Sequence, residues 1–326
     1  MTDSSNSRHV SLSPLVGMMM AICVIFIAGG ATCARSPSAL PYPPPPPVSI
    51  SAIPTVAEVA AAVNRSDAIQ QLASNTTSIK VTSMPGLPRL RGTANLVRPR
   101  NLRLKAGVPL TLGANIDLGS NDQAFWFEIP EGAALQRTLY WANHAEYARS
   151  MHRSFLPVSP DFISESMGLV RLNAADVIGA PTYRADGRLE VRTSMSGSAV
   201  PMQRVMGIDA TGGYVTDMTV IDPNGRVVAR STTAEHVYYP AVGAVLPHSV
   251  SLEFFPATGE ALSLQVTTSQ YVINQLLTND PNLFSMPTDS AASFNLAEPI
   301  PPSFGRNLPT TPSAYTADAG LGINLR

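Results

Sequence analysis

Two hydrophobic periods divide this sequence. Between Thr55 and Leu72 the apolar residues recur at helical spacing: Val56, Val59, Ala60 and Val63 share one stripe, and Thr55-Val56-Ala57-Glu58 has the form of a capping box. A second short helix is expected from Ser66, carrying Ile69 and Leu72. From Ser78 the period becomes two, which places alternate residues on opposite faces of a strand. Strands are predicted at 79–83, 90–97, 101–105, 110–117, 124–129 and 138–141, then at 189–194, 202–208, 214–222, 226–233, 250–255 and 262–267. Gly, Pro, Asn or Asp stands between them, as reversals of direction require, and Asp222-Pro223-Asn224-Gly225 is a strong hairpin signal. Short helices over 146–151 and 159–167 interrupt the series, the second opened by Ser159-Pro160. Many consecutive strands with few helices predict a mainly β fold in which one meandering antiparallel sheet closes or curls.

The two ends lack this patterning. Residues 15–28, LVGMMMAICVIFIA, form an apolar run after a polar start, and small residues then lead to Cys33. The run is shorter than the roughly 20 residues of a membrane-crossing helix and reads as a signal peptide over 1–33. Counting Gly29 to Ala31 brings it near a marginal span, so an uncleaved anchor is the alternative. Cys33 stands where a bacterial lipoprotein signal places its lipid-bearing cysteine, although Gly30 and Thr32 occupy positions where Leu and a smaller residue are usual. Residues 34–54 hold Pro41 and the run Pro43 to Pro47, a semi-rigid polyproline spacer of about 3.1 Å per residue. The folded part is expected over 55–287, and 288–326, rich in Pro, Ser and Ala, is expected to be an unstructured tail.

Composition narrows the function. Only 14% of the 326 residues are charged and the net charge is −1, which argues against a nucleic-acid partner. The two cysteines, Cys23 and Cys33, both lie in the leader, so neither a disulfide framework nor a Cys-rich zinc site is available to the folded part. His144 and His152 have no metal-ligand spacing, there is no Gly-x-Ser-x-Gly elbow, and Gly212-Gly213 precedes a strand and not a helix. Glu128 and Glu131 flank Pro130 without a sign of burial, and Asp117 to Asp122 reads as a hairpin turn and not a calcium loop. The chain therefore reads as a binding protein without catalytic role or cofactor. Phe125 and Phe127 would share one face of their strand and Trp126 the other, with one face serving as core, as ligand groove, or as both.

Gly92-x5-Arg98-Pro99, the strand Phe125-Trp126-Phe127-Glu128-Ile129-Pro130, and the closing stretch Leu246-Pro247-His248 through Phe284-Ser285-Met286-Pro287 resemble the LolA/LolB-type lipoprotein carriers and receptors of the bacterial outer membrane. The resemblance spans about residues 55–287. It implies an open antiparallel half-barrel with short helices over its concave face, and an apolar interior that takes lipid or lipoprotein acyl chains. It implies for Arg98 a hydrogen-bonded hold on a helical lid, although a surface position is the plainer reading, and for Phe125, Trp126 and Phe127 a place at the cavity. It also implies work in the cell envelope, facing the periplasm, with the N-terminal segment as membrane anchor. The insert at 147–180 and the tail depart from the minimal carrier pattern. The alternative is a structural or interaction lipoprotein with no bound lipid.

Overall fold

The capping box forms as expected: Thr55 Oγ1 accepts from Glu58 N, and the Glu58 carboxylate accepts from Thr55 N at 2.7 Å. It starts helix α1 (Val56–Val63), which runs into a 3-10 turn, Asn64–Ala68. The second helix expected from Ser66 does not form. Strand β1 (Gln71–Val81) takes over, and Leu72 pairs with Leu96. Ile69 and Leu72 are three apart, which suits a helix and would put them on opposite faces of a strand. Tertiary bonds decide between them: Asn274 Oδ1 accepts from Gln70 N at 2.8 Å, and Arg98 Nε donates to Ile69 O at 2.9 Å.

The computed structural model describes residues 46–48, 50–108, 115–131, 136–150, 158–195, 200–257 and 261–298. The chain divides into Met1–Pro43 and Pro44–Arg326, and every described residue lies in the second unit. Strands β2 (Leu90–Val97), β3 (Asn101–Gly107), β4 (Asn115–Ser120), β5 (Ala124–Glu131) and β6 (Gln136–Asn143) follow β1 as a meander. Helix α2 (His144–Arg149) and helix α3 (Asp161–Ser164), which continues as a π-turn to Leu169, come next. Strands β7 (Thr182–Tyr183), β8 (Leu189–Met195), β9 (Met202–Ile208), β10 (Val215–Ile221), β11 (Val227–Tyr239), β12 (Ala244–Phe254) and β13 (Leu262–Thr268) form a second meander. Two short strands remain, β14 (Val272–Ile273) on β1 and β15 (Ala292–Asn295) on β6.

All of this is one open sheet, ordered β15-β6-β5-β4-β3-β2-β1-β13-β12-β11-β10-β9-β8-β7. The meanders join because β13 pairs with β1 antiparallel, Ile79 opposite Val266. Alternation gives the sheet an inner face that carries the core, with Leu96, Leu104, Leu252, Met218 and Met206 all at most 3% exposed. The sheet curls around what covers this face. Asp161 and Glu165, one helical turn apart, pair with Arg100 at the β2–β3 turn (3.7 Å) and with Arg204 on β9 (2.6 Å). In a flat sheet those two sites would lie roughly 30 Å apart, at about 4.8 Å per strand. The half-barrel expected from the sequence is therefore the fold observed.

Residues 292–295, which fell in the expected tail, form β15 and pair in parallel with β6, Phe294 opposite Tyr140. Four residues carry no readable period; the edge of β6 supplies the partner that makes them a strand. Part of the expected spacer is also docked: Val48 N donates to Thr211 O at 2.8 Å, and Pro54 is buried. The segment expected to be a signal peptide, with Cys23 and Cys33, and the proline run up to Pro45 lie outside the described residues. No helix among the described residues is long and apolar enough to cross a membrane.

Candidate functional site

The inner face is apolar across the first meander. Cross-strand register places Ala94, Leu104, Leu118, Phe127 and Tyr140 in one row, and Leu96, Leu102, Ser120, Phe125 and Ala142 in the next. Phe125 and Phe127 do share this face, and Phe125 is 1% exposed. Trp126 takes the outer face, equally buried, with the Arg103 guanidinium 5.2 Å from its ring. It is covered by that arginine and not by a helix. Of the three aromatics that the resemblance places at the cavity, Phe125 and Phe127 stand on the inner face and Trp126 does not.

What fills the middle of the face is the insert that departs from the minimal carrier pattern. Val158, Phe162, Ile163, Met167, Leu169 and Leu172 are all at most 5% exposed and pack against it, Phe162 edge-on to Phe254 at 6.0 Å. Burying each such side chain is worth about 1.5–3 kcal/mol. The fit needs Gly168: its φ is +95°, and a Cβ there would lie 2.8 Å from Pro247 and 2.9 Å from Leu246. Gly168 thus lets the insert turn back where the sheet leaves no room for a side chain. About 20 Å³ remains between α1, the insert and β10–β12, beside Ala62, Gly168, Gly213 and His236, which suffices for one water.

The insert is held by polar ties. Arg204, 8% exposed, pairs with Glu165 and also donates to Thr193 Oγ1 at 3.3 Å. Asn64 exchanges two hydrogen bonds with Leu172, its Nδ2 to the carbonyl (2.9 Å) and its Oδ1 from the N–H (2.8 Å). Ser66 Oγ donates to Val170 O at 2.7 Å. Arg98 stands behind this serine. It donates to Ile69 O and, at 3.2 Å, to Ser66 O, lies 3.6 Å from Asp67, and its side chain is 16% exposed. The plainer surface reading of Arg98 does not describe this geometry, since it joins the β2–β3 corner to the turn after α1, which in turn holds the insert.

Among the described residues no group of three or more His, Cys, Asp or Glu is arranged to hold a metal. Glu128 is buried, but it faces outward, accepting from Ser290 Oγ beside Arg137 at 3.6 Å. The described histidines, His144, His236 and His248, are individually enclosed. His236 bonds Thr233 Oγ1 at 2.8 Å, packs on the Tyr214 ring at 4.5 Å, and burial pushes it down to about 4. Burial also lowers His144 and His248.

These shifts predict an acid-sensitive fold. The unfolded chain takes up a proton on His236 near pH 6.5, whereas the folded one resists until about 4. Stability is then fully present above pH 6.5 and is lost as pH falls toward 4, by on the order of 2 kcal/mol for His236 after allowing for its partial exposure. Urea midpoints from pH 7.5 to 5, above the carboxylate range, should fall, and His236→Gln should remove much of the slope. An unchanged slope in that variant would exclude His236 as its source.

Sequence reasoning missed the packing of the insert on the inner face, the Ser66 and Asn64 ties, and the strand at 292–295. The expected cap at Ser159-Pro160 was a signal for the insert helix, but none for where that helix packs.

Neither a protein-family model nor a curated protein matches the sequence. Among solved structures, the chain is similar to a domain from Vibrio parahaemolyticus described as an outer membrane lipoprotein-sorting protein, with 12% identity over 70% of this chain and 95% of that one and a TM-score of 0.44. A DUF1329 family protein from Desulfovibrio piger is 10% identical over 67% of this chain and 92% of its own, with a TM-score of 0.43. A LolA superfamily protein from Nitrosomonas europaea is 12% identical over 71% of this chain and 98% of its own, at 0.40.

Proposed function

We propose that this protein is a non-catalytic carrier or receptor that holds a lipid, or the acyl chains of a lipoprotein, against the inner face of the half-barrel. One observation carries the reading: the apolar inner face is covered by an irregular insert fastened through a few polar ties, and not by a second regular layer. Exchange of the insert for an acyl chain replaces one apolar contact by another, at about 0.8 kcal/mol per buried CH₂. The released ties, Glu165–Arg204 and Ser66–Val170, become hydrated. In this reading the protein works in the bacterial cell envelope, facing the periplasm, with the N-terminal segment and Cys33 as its attachment to the outer membrane.

Arg98 is the lock in this scheme. Arg98→Ala is expected to lower stability by about 2 kcal/mol, because charged hydrogen bonds to two carbonyls are lost, and to speed acyl uptake. Arg98→Lys should restore only part, since an ammonium cannot reproduce the guanidinium fork. Urea midpoints and stopped-flow binding of dansyl-undecanoic acid check both; a slower or unchanged uptake in Arg98→Ala contradicts the lock.

The test of the function itself is mass spectrometry of lipid extracted from the full chain after gentle purification from bacterial membranes, together with titration by dansyl-undecanoic acid. Bound lipid or saturable micromolar uptake supports the reading. A lipid-free protein that refuses the probe supports the second reading, a structural envelope lipoprotein, which the close packing of the 158–172 insert on the inner face favours.

A further inference from the structure

The end of the inner face formed by β5 and β6 has a different occupant. Phe125, Tyr140, Ala142 and Tyr147 form an aromatic cluster there, and its remaining buried member is Leu296 from beyond β15. Phe294 stacks on Tyr140 at 5.5 Å, and Tyr140 stacks on Phe127 at 5.0 Å. Phe127 stands beside Leu118 and Leu104 in register, so this cluster continues the apolar face covered by the insert. The segment that brings Phe294 and Leu296 here arrives from the opposite side. Residues 280–290 cross the outer face, where Arg103 donates to the carbonyls of Leu283 and Ser285 and Arg137 pairs with Asp289 at 2.7 Å. An open cleft of about 440 Å³ lies beneath this strap, so polar pins hold it there in place of a packed apolar contact. The strap then rounds the edge of β6: Ala291 N donates to Arg137 O and Leu296 N to Trp141 O. β15 is only four residues long, and its first two, Ala292 and Ser293, are exposed.

We infer that residues 292–297 are a removable occupant of the aromatic end of the groove, so that Phe294 and Leu296 compete with an acyl chain for Phe125, Phe127 and Tyr140. The inference rests on the acyl-binding reading above. Apolar side chains on a short, half-exposed edge strand are what an acyl chain can replace without leaving apolar surface in water. The strap keeps its pins on the outer face while its last six residues swing out, so the occupant stays tethered beside the site and returns when the ligand leaves.

Ala292 and Thr138 are partners across β15 and β6, close enough for a disulfide. In the full chain with Cys23 and Cys33 changed to serine, Ala292→Cys with Thr138→Cys locks the strand on oxidation and frees it on reduction. Titration with dansyl-undecanoic acid should give an apparent Kd at least tenfold weaker for the oxidised form. Phe294→Ala with Leu296→Ala, checked for fold by circular dichroism, should bind the probe severalfold tighter than the parent. Equal affinity in oxidised and reduced protein, or unchanged affinity in the alanine variant, overturns the occupant while the groove stands. Refusal of the probe by every form, the parent included, overturns the groove and the occupant together.

Discussion

Replacing Gly92 with alanine is expected to destabilise the half-barrel by more than about 3 kcal/mol, the cost range of severe overpacking. Gly92 sits inside β2, opposite Ala106 of β3. A Cβ there would lie 1.7 Å from the Lys105 carbonyl oxygen and 2.6 Å from Ala106 Cα, both backbone atoms. No rotamer change relieves a backbone clash, so the two strands must separate. For a domain of this size about 3 kcal/mol corresponds to a fall in Tm of roughly 6–12 °C. Gly86 is the control, since nothing lies within 4 Å of its added Cβ. Melting curves of Gly92→Ala and Gly86→Ala check the claim; a Gly92→Ala protein that melts with the parent would show that β2 and β3 are not so closely apposed.

Arg103→Ala should cost about 3–5 kcal/mol, the range for breaking a buried ion pair from one side. Arg103 is 4% exposed and Asp117 8%, and the guanidinium binds the Asp117 carboxylate directly. Removing it leaves Asp117 buried with Lys105, 3.8 Å away and largely in water, and the more distant Arg137 for compensation. The carbonyls of Leu283 and Ser285 lose their donor, and Trp126 loses the cation over its ring. Arg103→Met combined with Asp117→Leu removes both charges and should recover most of the loss, because the uncompensated carboxylate causes the damage. Urea unfolding of the single and double variants decides it. If the double variant is as unstable as the single one, the arginine acts by pinning the strap and not by neutralising Asp117.

These two residues also mark how far the sequence could be read. Gly92 was visible as a glycine inside a strand pattern, which signals close backbone approach, but the atom it makes room for belongs to β3. Arg103, Asp117 and Glu128 lie on three successive strands, and only register brings them together on the outer face. The helix expected from Ser66 gave way to β1 because two apolar residues at helical spacing are a weak local signal, and pairing with Leu96 outweighed it.

What the sequence determined by itself was the local pattern. The period-two alternation marked most strands from β2 to β13, but not β7, and it caught only the second half of β12; residues 110–114 of the strand expected at 110–117 lie outside the described residues. The capping box set the start of α1. Asp222-Pro223-Asn224-Gly225 set a turn, in which Asp222 Oδ1 accepts from Asn224 N and Arg226 N. Each of these signals lies within a few neighbouring residues, where sterics and hydrogen bonding act regardless of the rest of the chain. The tertiary structure alone decided what occupies the inner face. The 158–172 insert and the Phe294–Leu296 pair find their places through contacts with strands far away in sequence. A four-residue edge strand or a single buried ion pair leaves no period to read, because its stability comes from the partner and not from its own residues.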